Sequence, residues 1–138
     1  NENTMSAFIL APSSNEYKDL NNYSAVIRIA FGNTAFLFMG DAEIESENEI
    51  LSNYNIESLW ANVIKIGHHG SSSSSQQAFL SKVNPTFAVI SCGADNKYGH
   101  PTEQTLNTLN NMGIKTFRTD TDGTIIFASD GNNVYREY

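Results

Sequence analysis

In "VIKIGHHGSSSSSQQAFL", residues 63 to 80, a β-branched run ends in Gly67, two adjacent histidines, a second glycine and five serines. The chain has three histidines, and two of them stand here as His68 and His69. Imidazole nitrogens bind divalent cations, exchange protons and stabilise a departing oxygen. The flanking glycines admit a close approach that a Cβ would block. An extended backbone would send the two rings in different directions, one toward an ion and one toward a substrate. His100 follows the apolar run "TFAVISCG" and the loop "ADNKYG", and Asp41 follows the apolar run "TAFLFMG". In α/β sheets, ligands collect at the carboxyl ends of strands. Three junctions therefore offer a carboxylate, a histidine pair and a histidine to one sheet edge. Oxygen and imidazole ligands suit zinc, manganese or iron, and one cysteine cannot supply a thiolate site.

Each residue also has an ordinary reading. Asp41 can cap a helix, alone or while serving as a ligand. His100 can stand at a cap position before Pro101, and an isolated His69 would be a loop histidine. "GSSSSS" reads as a flexible loop with one capping serine, the alternative being an anion site at a helix N-terminus. "TDTDG" lacks the later acidic ligands of a calcium loop and reads as a turn. Asn96, Lys97 and Tyr98 can form a substrate wall, while Cys92 is a packing residue with no base to activate it.

The elements that must position these groups follow from apolar patterning. Residues 5–11 read as a short buried strand. Residues 23–31 and 34–40 are strands joined by a tight turn at Gly32-Asn33, the second apolar enough to have both faces covered. "ANVIKIG", "TFAVISCG", "IKTFRT", "TIIFASD" and "VYREY" continue the strand series. One helix starts at Asp41, with Glu43 and Glu45 in its positive first turn. Another, "QQAFLSKV", is capped by Ser75. The third, "HPTEQTLNTLNNMG", has Pro101 in first position, a stripe of Leu106, Leu109 and Met112, and Gly113 at its end. This order predicts an α/β layered fold, a mixed sheet with about three helices, in a single domain over residues 1–138.

Composition narrows the function classes. An apolar fraction of 40% excludes a disordered chain. A net charge of −7, from 15 acidic and 8 basic residues, argues against nonspecific nucleic-acid binding. Bound cations could still reverse the field locally for a phosphorylated substrate. No run approaches the ~18 apolar residues of a membrane span, and "SAFILAP" has no basic leader. The single cysteine excludes an internal disulfide and leaves the compartment open. The abrupt opening "NENTMS", with abundant Asn and Ser, suggests a piece of a longer architecture.

The succession "YSAVIRIAFGNTAFLFMGD", "VIKIGHHGS", "AVISCGADNKYGHP" and "FRTDTDGTI" resembles the C-terminal half of the metallo-β-lactamase-fold domains of the bacterial competence DNA-uptake family (ComEC/Rec2) and related soluble hydrolases. It spans roughly residues 21 to 127. The resemblance implies a four-layer αββα sandwich with two divalent metal ions, zinc or manganese, at its edge. It makes Asp41 a bridging ligand and His69 a ligand to one metal. His68 would meet a phosphoryl oxygen or leaving group, so that His68 and Asp41 are the catalytic pair. His100 would stand beside the site, with Ser71 and Tyr98 on the substrate side. The family's N-terminal His-x-His-x-Asp-His cluster is absent from these 138 residues. The expectation is a metal-dependent, phosphodiesterase-like hydrolase domain linked to DNA uptake, inactive as this segment alone and binding little or no metal by itself. Its partners would be the missing N-terminal half and a phosphodiester or small-molecule substrate, DNA included. It would also self-associate through an apolar inner face formed by "AVIRIAF" and "AFLFMG". Within a longer protein it would be membrane-associated or extracellular. The alternative is a noncatalytic binding or assembly domain that keeps the fold without metals.

Overall fold

The computed structural model describes residues 4–138. Six strands form one mixed sheet in sequence order: β1 Met5–Ala11, β2 Val26–Phe31, β3 Thr34–Phe38, β4 Val63–Lys65, β5 Phe87–Ile90 and β6 Lys115–Arg118. β1, β2 and β3 are antiparallel neighbours, whereas β3 through β6 run parallel. The switch has a local cause. Gly32 and Asn33 reverse the chain between β2 and β3, as their composition predicts, whereas every later strand of this sheet is reached through a helical crossover. α1 (Ile44–Asn53) and the single-turn α2 (Ile56–Leu59) lead to β4, α3 (Gln77–Val83) to β5, and α4 (Glu103–Asn111) to β6.

The mixed α/β architecture is the expected one, but the helices number five among the described residues. α2 and α5 (Thr119–Asp122) are single turns, too short to display an apolar period. α5 forms over the "TDTD" that reads as a simple turn.

One cluster unites the inner residues of the sheet with the helices. Val26, Ala35, Leu37, Ile64, Ala88 and Ile90 are buried with Ile50, Leu59, Phe79, Leu80, Val83 and Leu109. Burying a large apolar side chain of this kind contributes about 1.5–3 kcal/mol. Along β3 the alternation is visible: Ala35 and Leu37 are fully buried, while Phe38 on the opposite face is 41% exposed. The strand is therefore not covered on both faces, contrary to its apolar composition. Part of the opposite face is covered by a separate hairpin, β7 (Ile126–Ser129) and β8 (Val134–Glu137). Its Phe127 ring lies 5.1 Å from Phe87 and 5.6 Å from Phe117. The hairpin turn docks on the β2–β3 turn, with the Asn33 N–H donating to the Gly131 carbonyl at 2.6 Å. β1 is also not the buried strand expected: Met5 is 71% and Ile9 69% exposed, and only Leu10 and Ala11 enter the core.

Three helix starts differ from their predicted caps. Glu43, not Asp41, occupies the cap position of α1. Gln76 rather than Ser75 occupies that of α3, and the buried Glu47 of α1 reaches across to accept the Ser75 and Gln76 N–H groups at 2.5 and 3.0 Å. Thr102 caps α4 through the Thr105 N–H, so Pro101 precedes the cap instead of filling the first helical position. None of the described helices is long and apolar enough to cross a membrane.

Candidate functional site

Because β3, β4 and β5 are parallel neighbours, their carboxyl ends lie along one edge, and the segments that follow them meet there. Asp41 Oδ1 and His69 Nε2 are 3.4 Å apart, with 42% and 47% of their side chains exposed. His69 Nδ1 lies 2.6 Å from the Ser91 carbonyl oxygen. A carbonyl only accepts, so the ring donates from Nδ1 and turns Nε2 toward the carboxylate. Two lone-pair atoms facing each other at this range favour a cation between them, either a proton or a metal. An imidazole tethered by its other nitrogen is also the arrangement metal-binding histidines adopt.

The histidine pair is not in extended backbone. Gly67–Gly70 form one 3-10-like turn in which His68 (φ 44°, ψ 47°) and His69 (φ 54°, ψ 21°) are both left-handed. Such residues cost about 1–3 kcal/mol each and persist only where the surroundings over-determine them. Here they do. The His68 N–H donates to the Gly40 carbonyl at 3.1 Å, the Ser71 N–H to the His68 carbonyl at 2.9 Å, and the Thr102 N–H to the Gly70 carbonyl at 3.0 Å. The Ser74 hydroxyl closes the turn on the Gly67 carbonyl at 2.9 Å. Both glycines are required by packing: a Cβ on Gly67 would stand 2.7 Å from the Ala42 carbonyl oxygen, and one on Gly70 would stand 2.6 Å from Pro101 Cβ.

His68 points elsewhere than His69, their ring centres 6.3 Å apart. Its Nδ1 is 2.9 Å from Glu43 Oε1, and the same oxygen accepts the Ser73 hydroxyl at 2.5 Å. The His100 ring centre is 5.5 Å from that of His68, and Tyr98, 69% exposed, stacks on His100 at 6.0 Å. Burial first, then the neighbouring His68 and His69, hold His100 below the ordinary histidine range. Asn96 does not face outward as a wall residue. Its side chain zips the loop, donating to the His100 and Gly93 carbonyls and accepting the His100 N–H at 3.0 Å. Lys65, beneath the rim, donates to the Ile66 carbonyl at 3.0 Å; burial lowers its pKa and the nearby Asp41 charge opposes that shift.

The serine run is packed rather than flexible. Ser71, Ser74 and Ser75 are buried, and the Ser71 hydroxyl meets that of Ser73 at 2.9 Å. The Ser71 hydroxyl therefore reaches the His68 ring through Ser73 and Glu43. Cys92 is quiet: burial, then the Asp120 carboxylate, push its thiol up. Sequence patterning missed Glu43, Ser73 and the Ser91 carbonyl as parts of this site. The only trace was an acidic residue near Asp41 in "MGDAE", which the helix-dipole argument already explained.

Among the described residues, no group of three or more His, Cys, Asp or Glu side chains converges as a complete ligand set. Asp41 and His69 fit two places of one, an oxygen and an imidazole nitrogen of the kind zinc or manganese takes.

No family model matches the chain. It is 40% identical over 118 residues to Competence protein ComA of Neisseria gonorrhoeae, a match covering 86% of this chain and 17% of that protein. It is 35% identical over 117 residues to ComE operon protein 3 of Bacillus subtilis (strain 168), covering 85% of this chain and 15% of the relative. Recombination protein 2 of Haemophilus influenzae is 34% identical over 93 residues, covering 67% of this chain and 11% of that protein. The chain thus resembles a segment of competence proteins over most of its length, while spanning less than a fifth of theirs.

Proposed function

We propose that the chain is the C-terminal half of a metallo-β-lactamase-like domain whose intact form hydrolyses phosphodiesters, with DNA as the substrate in a competence protein. The observation that carries this reading is Asp41 Oδ1 facing His69 Nε2 at 3.4 Å, the other ring nitrogen being committed to Ser91. The relatives named for competence and recombination support DNA as the substrate class. Divalent cations held by Asp41, His69 and ligands of the N-terminal half would supply charge neutralisation and an activated water. The chain's own residues orient and move protons. Asp41 and His69 would hold the cation, the His69 ring being oriented by its bond to the Ser91 carbonyl, and His68, when protonated, would donate from Nε2 to the departing oxygen. Tyr98 and His100 form the outer wall.

In the protein at its full natural length, His69→Ala should abolish manganese- or zinc-dependent cleavage of bis(p-nitrophenyl) phosphate. The same substitution should change urea-unfolding stability by no more than about 1 kcal/mol, as expected for a half-exposed side chain. Loss of one equivalent of metal should accompany it in equilibrium dialysis. Unchanged metal binding together with no phosphoester hydrolysis by the wild type would sink the reading.

A second reading rests on a different observation. Met5, Ile9 and Phe38 leave an apolar strip open on the sheet face away from the helices, as in a noncatalytic assembly module. The two part on metal: the assembly module binds none at any chain length, the hydrolase at least one at full length.

A further inference from the structure

We propose that Glu43 is the positioning residue of His68, its carboxylate holding the imidazole proton on Nδ1 so that Nε2 is the working nitrogen; the role in catalysis rests on the phosphodiesterase reading above. Glu43 stands at the cap position of α1, yet its side chain makes no bond to the helix it begins. That duty has passed to Asn22, a buried residue of the 3-10 turn before β2. Asn22 Oδ1 accepts the Glu43 N–H at 3.0 Å and the Ser46 N–H at 3.3 Å. A carboxylate relieved of capping is available for other work. It is spent on His68 and Ser73, both of which donate to Oε1.

Ser73 is itself doubly anchored to the same helix start. Its carbonyl accepts the Ile44 N–H at 2.9 Å while its hydroxyl bonds to Glu43 at 2.5 Å. The carboxylate is therefore braced from a neighbouring loop rather than free to rotate. A carboxylate oxygen that accepts from a ring nitrogen requires that nitrogen to carry the proton. The free imidazole favours the opposite tautomer, so the assignment is a real constraint. In a residue already forced into left-handed backbone, the same bond sets the direction of the ring. Glu43 makes no hydrogen bond to Asp41 or His69; it acts through His68.

With three histidines in the chain, each imidazole can be assigned in long-range 1H–15N spectra by single substitution. In the spectrum of the neutral ring, His68 should carry its proton on Nδ1. Glu43→Gln, whose amide oxygen can accept the same bond, should keep that tautomer. Glu43→Ala should move His68 to mainly Nε2–H. Glu43→Asp should do the same, and it retains a favoured cap residue and so guards against a failure to fold. In the full-length protein, Ala and Asp should lower kcat for phosphodiester cleavage about 10–100-fold, the scale of lost outer partners at such sites. KM should stay unchanged, and Gln should stay near wild type. An unchanged His68 tautomer in both Ala and Asp overturns the proposal, as does a changed tautomer with unchanged kcat in an active enzyme. If the tautomer shifts as stated but the wild type cleaves no phosphodiester, the anchoring by Glu43 stands and only the phosphodiesterase reading fails.

Discussion

At the scale of single residues, the site is held by strain and its compensation. His68 and His69 are consecutive left-handed residues, and Gly70 lets the Pro101 ring approach where a methyl group would collide at 2.6 Å. Gly70→Ala should therefore destabilise the chain by about 2–4 kcal/mol, combining the penalty of a Cβ at positive φ with overpacking. Urea unfolding measures this directly, and a loss below about 0.5 kcal/mol would mean that the turn relaxes without resistance. The imidazole resonances of His68 and His69 should shift in the same variant, because the turn that aims them rests on this contact.

At the scale of elements, the join between α1 and α3 carries an uncommon device. Glu47, 1% exposed, accepts the two N–H groups that open α3. Burial raises its carboxyl from an ordinary 4.5 to about 7, with the two N–H bonds opposing that shift. The unfolded chain loses this proton near 4.5 and the folded chain keeps it until about 7. The proton's contribution to stability is therefore fully present below 4.5 and is lost as pH rises to about 7, on the order of 3 kcal/mol. Urea midpoints at about pH 5 and pH 8 should show stability falling with pH, and Glu47→Gln, which cannot titrate, should flatten that difference. A wild-type and variant pair with parallel pH profiles would show that the carboxylate is charged throughout. The cap on α3 thus depends on a residue from another helix.

At the scale of the whole molecule, the sheet is finished on one side only. Helices cover the face carrying Leu37, Ile64 and Ala88. The hairpin β7–β8 covers the other face around Phe87 and Phe117, and Ile9 and Phe38 remain open. Apolar strips of this kind drive association, and the single-partner edge strand β1 adds unpaired backbone groups beside them. Light scattering should therefore show concentration-dependent oligomers of this chain. The double substitution Ile9→Lys, Phe38→Lys should return it to a monomer, and a wild type that is monodisperse at all concentrations would contradict the expectation.

Local chemistry explains which of these features the sequence could determine alone. Gly32-Asn33 sets a turn because few residues tolerate its dihedrals, and that turn makes β2 and β3 antiparallel. The apolar runs ahead of Asp41, His68 and His100 place all three at strand ends because helical crossovers force parallel neighbours. Close approach at Gly67 and Gly70 was legible for the same reason: only a missing Cβ explains glycine there. Single-turn helices were not, since four residues hold no period. Nor was the transfer of capping from Asp41 and Ser75 to Asn22 and Glu47, because those partners are remote in the chain. The bond from Glu43 to His68 and the carbonyl of Ser91 behind His69 were decided only in three dimensions. Each joins groups more than twenty residues apart, and no spacing rule links two segments whose separation is set by the packing of a helix start against a turn.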